Sequence, residues 1–189
     1  SPNNRNTWKT ALYEAAFMIG MERNADLVTM SCYAPLLAHT EAWQWKPDLI
    51  YFDNLRVLRS ANYYVQQLFS QNLGTHLLET TIENSPMINA DLQGFHATTA
   101  LDTGTNEIIL KVVNATDQAV LSPISIRGQD VDNTTGTVRI LTAESLSAEN
   151  TMEDPMNIVP TESDFTVSGD PFHFTFPPLS LAIIRIPLQ

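Results

Sequence analysis

The chain has 189 residues, 43% of them hydrophobic, and 21 acidic against 10 basic residues give it a net charge of -11. That apolar content buries a core of ordinary size, in one domain or two small ones, and excludes a disordered or fibrous chain. The negative charge opposes phosphate backbones and anionic surfaces, and no apolar run reaches membrane-spanning length, so neither nucleic acid nor a membrane is an expected partner.

The opening SPNNRN is polar and has the composition of an exposed loop, the kind of place where proteolytic nicking concentrates, so the chain is expected to be one piece of a cut protein. A helix should follow. Trp8, Ala11, Leu12, Ala15, Ala16 and Ile19 recur at steps of three and four and form one apolar face. Asn6 or Thr7 is placed to cap its start, and Gly20 to end it in the left-handed conformation. A short apolar strand, Asp26 to Cys32, comes next and reads as a parallel strand covered on both faces. Helix, tight turn and strand make half of a βαβ repeat. In a barrel of parallel strands the active site lies at the carboxyl ends of the strands. Glu22, Arg23, Asn24 and Asp26 therefore belong to the stability face, as turn contacts and ion pairs. Tyr33, His39, Glu41, Trp43, Trp45 and Asp48 follow the strand on the other face. Cys32 stands alone, so an internal disulfide is excluded and burial at the strand end is its expected role.

After a long loop through Asn54, Ser60 caps a second amphipathic helix whose inward stripe is Ala61, Tyr64, Val65, Leu68 and Phe69, with Gly74 beyond its end. From Thr75 onward, about eight short runs rich in Val, Ile, Leu, Phe and Thr alternate with turn residues, the spacing of a sandwich with no helix among the strands. Ser145 to Pro160 is the one long irregular stretch and reads as a covering loop. The fold class is thus α/β plus all-β, with a boundary expected between residues 1–74 and 75–189.

The runs EAAFMIGMERNADLVTMSCYAPLL, WKPDLIYFDN and NYYVQQLFS, followed by KVVNATD and the stretch from VRILTAES to ENTMEDPMNIVP, occur in one order over nearly the whole chain. They resemble the C-terminal part of the α-L-arabinofuranosidases of glycoside hydrolase family 51, in the plant and fungal branch. The resemblance implies that residues 1–74 hold the closing βα unit of a (β/α)8 TIM barrel, and 75–189 an antiparallel, jelly-roll-like β-sandwich. It also implies a retaining hydrolase that removes terminal α-L-arabinofuranosyl units from arabinoxylan or arabinan, plant cell-wall polysaccharides, without a cofactor. The family's two catalytic glutamates belong to strands earlier than Trp8. No Glu here occupies their context, so the expected partner is an upstream polypeptide of the same enzyme, and this chain by itself should be inactive.

What remains for the chain is a wall of the sugar pocket. Tyr33, His39, Trp43, Trp45 and Asn54 are the candidate substrate contacts, by stacking or by hydrogen bonds to hydroxyls. Each has a structural alternative: Tyr33 packing in the barrel mouth, Trp45 anchoring a loop in which Asp48 caps a turn. Two N-x-[ST] sequons, at Asn114 and Asn133, make these candidate glycosylation sites and favour secretion. His76, His96 and His173 lie far apart without carboxylate or cysteine spacing, so no metal site is expected. A reading of another class also stands, in which the chain is a non-catalytic β-sandwich module that binds carbohydrate or protein. The strand at 26–32 speaks against it, since a lone βα unit exposes edges built for burial.

Overall fold

The computed structural model describes residues 5–90 and 92–188. Residues 1–4 of the loop-like opening lie outside that range. Helix α1 (Trp8–Arg23) is followed by β1 (Leu37–His39), β2 (Ile50–Phe52), β3 (Val57–Arg59) and helix α2 (Ala61–Gln71). Then come β4 (His76–Leu78), β5 (Met87–Asn89), β6 (Leu92–Gln93), β7 (Phe95–Asp102), β8 (Glu107–Asn114) and β9 (Val120–Ile124). The last strands are β10 (Thr135–Thr142), β11 (Thr161–Thr166), β12 (Phe172–Phe176) and β13 (Ser180–Pro187). The chain is mostly β, with two helices near its start. All eight runs read as strands after Thr75 contain one, and the extra pair β5–β6 is a short hairpin.

The centre is a six-stranded antiparallel sheet in the order β11-β10-β13-β8-β7-β4. Its middle strands β8 and β13 are buried on both faces, and the period of two splits their side chains cleanly. Ile109, Val113, Leu181 and Ile183 face α1 and α2, where they pack on Trp8, Leu12, Val65 and Phe69. Leu110, Val112, Ala182, Ile184 and Ile186 face the other way, onto Phe95, Phe172 and Phe176. That second face is covered by the two-stranded antiparallel sheet β9-β12. The expected sandwich is therefore a six-stranded sheet with a small sheet on one side and the two helices on the other. Gly74 lies where α2 hands the chain to β4, with no room for a Cβ against Ala100.

Helix α1 does not end at Gly20. It runs on to Arg23 with Asn24 at its end, where the Asn24 amide donates back to the Gly20 carbonyl at 2.7 Å. Gly20 stands on the exposed side and makes no turn, so nothing there requires the left-handed conformation. The start of α1 is capped in a way sequence does not reveal. Thr7 makes no side-chain cap bond. Instead, Trp8 N–H donates to Ala148 O at 2.7 Å and Lys9 N–H to Leu146 O at 2.9 Å, so the stretch 145–160 satisfies two orphan donors of the first turn. This stretch is a covering segment as expected, pinned by Ile158, which is fully buried in the helix-side core. Helix α2 begins as read, with Ser60 Oγ accepting from Tyr63 N–H.

The buried strand expected at Asp26 to Cys32 is not formed. Leu27 and Val28 N–H both donate to Asn24 O in the turn after α1, and the chain then runs on without strand pairing. Leu27 is 77% and Met30 87% exposed, and Cys32 is exposed rather than buried. The physical reason is a lack of partners, because no other described strand of this chain pairs with the segment. The long loop after it is partly ordered into a small sheet, β1-β2-β3, with β1 and β2 parallel and β3 antiparallel.

Candidate functional site

Parallel pairing of β1 with β2, Leu37 opposite Ile50 and His39 opposite Phe52, forces the loop 40–49 to travel back along the strands before re-entering the sheet. Its return is fastened at several points. Leu49 O accepts from both the N–H and the hydroxyl of Ser60, at 3.2 and 2.7 Å, and Asp48 N–H donates to the Tyr51 hydroxyl at 2.9 Å. The Tyr51 hydroxyl in turn donates to Asn6 Oδ1 at 3.1 Å. The buried Asn6 amide then donates to the Tyr33 hydroxyl at 3.3 Å and to Asn62 Oδ1 at 3.1 Å. The network ends on α1, where Asn62 and Gln66 of α2 both donate to the Glu14 carboxylate.

These contacts set the electrostatics. Burial pushes the Glu14 carboxyl up, with the Gln66 and Asn62 hydrogen bonds pulling the other way. Burial, and then the negative charge of Glu14, push the Tyr33 hydroxyl up to about 12. Asp48 is 2% exposed and its Oδ2 has no hydrogen-bond partner. Burial pushes its carboxyl up, against the pull of Lys46.

Above this network lies a cavity of about 280 Å³. Trp43 forms one wall, with Lys46 Nζ 4.3 Å from its ring centroid. Asn6, Tyr51 and Ser60 form the floor. The far wall comes from the covering stretch, as Glu149 and Asn150, with Arg5 bridging to Glu149 through Nε at 3.0 Å. A larger hollow of about 620 Å³ runs along the free edge of β4 and is lined by Arg23, Leu77, Leu78 and Gln93 among others. It holds none of the candidate residues.

Of the five candidate contacts, Trp43 lines the cavity and Tyr33 is joined to its floor through Asn6. His39 sits beside the loop, its ring edge-on to Phe52 at 5.3 Å and its Nδ1 accepting from Glu41 N–H. Trp45 is 66% exposed and lines neither hollow. Asn54 is exposed in the turn before β3, beside Asp53, whose side chain accepts from Leu55 and Arg56 N–H. Sequence reasoning missed Asn6, Tyr51 and Glu149. Asn6 reads as a helix cap and Tyr51 as one more aromatic of an apolar run, while Glu149 reaches the site from far along the chain.

The two sequons part company. Asn114 is fully buried: its amide donates to Gln118 O and Pro177 O, and its Oδ1 accepts from Thr116. A glycan there would have to displace these hydrogen bonds. Asn133 is exposed at a turn with φ of 60°, and remains a candidate. Among the described residues no group of three or more His, Cys, Asp or Glu could hold a metal, and no helix is long and apolar enough to cross a membrane.

Residues 1–180 match the family described as the α-L-arabinofuranosidase C-terminal domain. An Arabidopsis thaliana protein named α-L-arabinofuranosidase 2 is 33% identical over 91% of this chain and 25% of its own length. A Streptomyces chartreusis protein named extracellular exo-α-L-arabinofuranosidase is 42% identical over 62% of this chain and 14% of its own length. Among solved structures, an arabinose-bound MgGH51 α-L-arabinofuranosidase superposes with a TM-score of 0.87 at 31% identity, covering 98% of this chain and 28% of that one. The chain thus spans about a quarter or less of the curated relatives it matches. The plant relative, matched over nine-tenths of the chain, fits the plant and fungal branch.

Proposed function

Because the chain belongs to the family of α-L-arabinofuranosidase C-terminal domains, within the glycoside hydrolases of family 51, we propose that it is the C-terminal part of a retaining α-L-arabinofuranosidase. The observation that carries this reading is the family match over residues 1–180 in a chain that spans so little of its relatives. The complete enzyme removes terminal α-L-arabinofuranosyl units from arabinoxylan or arabinan. A pair of carboxyl groups about 5 to 5.5 Å apart, one as nucleophile and the other as acid and then base, does the chemistry from the part of the enzyme outside these residues. Within this chain Glu149 is paired with Arg5, and Glu14 accepts from Asn62 and Gln66.

In this reading the front of the chain closes a (β/α)8 barrel. The exposed apolar segment around Leu27, Val28 and Met30, too apolar for open solvent, pairs with barrel strands supplied by the rest of the enzyme. The loop after it, with Tyr33, His39, Trp43, Trp45 and Asn54, reaches toward the sugar. The six-stranded sheet serves as the β-domain on which the closing unit rests. Secretion is part of the proposal, and the Streptomyces relative's name supports it. The test is hydrolysis of an aryl α-L-arabinofuranoside and of arabinoxylan by the complete enzyme, with the product followed by NMR. The α-anomer of arabinose should appear first; release of the β-anomer first would overturn the retaining mechanism, and no release at all would overturn the activity.

A further inference from the structure

We propose that the β4 edge of the six-stranded sheet is a docking site for an extended segment from the rest of the enzyme, which adds to the β-domain as a further strand. The inference rests on the reading of this chain as one part of a longer arabinofuranosidase, and it gives that longer protein a second contact, on the β-domain. The two edges of the sheet are built differently. β11, at one end, is exposed along nearly its whole length and carries Glu162 and Asp164, and charges of that kind keep further strands away. β4, at the other end, is His76, Leu77 and Leu78, apolar at two positions and without a carboxylate. Leu77 is 47% exposed, and Leu73 just before the strand is 64% exposed. Natural sheets guard an edge by charge or by cover, and an apolar edge without charge is the kind that is covered.

There is room for such a strand. The hollow of about 620 Å³ runs along this edge, walled by Leu77, Leu78, Ile82 and Gln93 among others. β4 pairs with β7 at Thr99 to Leu101, so on this flank Phe95 to Thr98 have no strand beside them among the described residues. The Leu78 carbonyl accepts from the Thr80 hydroxyl at 3.2 Å and keeps a second lone pair for an incoming N–H. The position of the hollow says what fills it. Arg23, the last residue of α1, lines it, and the chain passes from there into the exposed apolar segment of Leu27, Val28 and Met30, which the barrel reading assigns to contact with the rest of the enzyme. One surface thus runs from that segment to β4. The longer protein has ample chain to reach it, since these residues span 25% of the Arabidopsis relative. Arg23 and Glu79 both line the hollow and form no ion pair among the described residues. The occupant is therefore an extended segment of mixed polarity, paired through its backbone, with an apolar side chain against Leu77 and a carboxylate toward Arg23. A second copy of this chain would bring only another three-residue edge, too small a contact for a stable dimer.

The test is hydrogen exchange of the complete enzyme, read by mass spectrometry, with both edges compared in one molecule. The β4 amides should exchange roughly tenfold or more slowly than those of β11. Leu77→Asp should speed exchange at β4 and, together with it, at one peptide from outside these 189 residues. Unchanged protection of β8 shows that the variant is folded, and Thr81→Lys, on an exposed residue of the hollow, replaces it if it is not. Exchange at β4 as fast as at β11 would overturn the proposal, and so would β4 protection that no outside peptide shares in the folded variant. Protection lost on dilution, with a matching drop in sedimenting mass, would assign the edge to a second copy and overturn the proposal as well. Hydrolysis of an aryl α-L-arabinofuranoside is assayed in parallel. An inactive parent enzyme would fall on the underlying reading, whereas the exchange pattern does not depend on turnover.

Discussion

Lys111 Nζ donates to Glu22 Oε1 at 2.6 Å, joining the middle of β8 to the last turn of α1. Lys111 is 1% exposed and its ammonium also lies 5.4 Å from the Phe69 ring centroid, while Glu22 reaches solvent. Burial pushes the lysine down and the glutamate up, each opposed by the other's charge. The two halves of the pair should therefore respond unequally. Glu22→Ala strands a charge in the core and should cost roughly 3 to 5 kcal/mol. Lys111→Met leaves a carboxylate that can turn to water, and should cost clearly less. Chemical denaturation of both variants decides this. The pH dependence has a definite sign: with the folded lysine depressed, the unfolded chain binds more protons, so stability rises with pH toward the ordinary lysine value. That rise should be steeper in Glu22→Ala than in the parent.

Asn6 is the hub of the polar network, and its removal should be read in two ways. Asn6→Ala leaves Tyr33, Tyr51 and Asn62 each one partner short and should cost roughly 1 to 3 kcal/mol. In ultraviolet difference titration one tyrosine should ionise near 12, well above the ordinary 10.0. The hydrogen bond from Asn6 lowers that value, so the variant's Tyr33 should titrate higher still. Because the folded chain keeps a proton the unfolded chain has lost, Tyr33's contribution should be present below about 10 and lost as pH rises through about 12. A titration showing all tyrosines at the ordinary value would contradict the network.

Trp45 separates a sugar contact from a loop anchor. At 66% exposure it has little packing to lose within this chain. In the complete enzyme Trp45→Ala should lower kcat/KM by roughly twofold to tenfold, the worth of one aromatic contact, with the melting temperature nearly unchanged. Unchanged kinetics with lower thermal stability would make it an anchor.

The sequons give a prediction about modification. When the protein passes through a eukaryotic secretory pathway, peptide mass mapping should find glycan at Asn133 and none at Asn114. A glycan on Asn114 in folded protein would contradict its burial beneath Pro177 and Gln118.

Periodic features were the legible part of the fold. The stripe of α2, its Ser60 cap, and the strands after Thr75 all follow from spacing and local chemistry, and each is present. The misreadings arose where the deciding partner is distant in sequence. Gly20 reads as a stop because its local signal is strong, yet the helix continues to Arg23 and closes on Asn24 and the Lys111–Glu22 pair. The segment at 26–32 has the composition of a buried strand, but composition carries no partner, and this chain supplies none. Around the cavity, Trp43 and Tyr33 are conspicuous in the sequence as aromatic residues after an expected strand. Asn6 and Glu149 are not conspicuous, since one reads as a cap and the other is 144 residues from its partner Arg5.

In our proposal these residues belong to an arabinofuranosidase whose catalytic carboxylates lie elsewhere in the enzyme. Its most direct test is a side-by-side assay on an aryl α-L-arabinofuranoside of the 189-residue chain alone and of the complete enzyme. The complete enzyme should turn over the substrate and the chain alone should show no rate above buffer. Hydrolysis by the isolated chain would contradict the account.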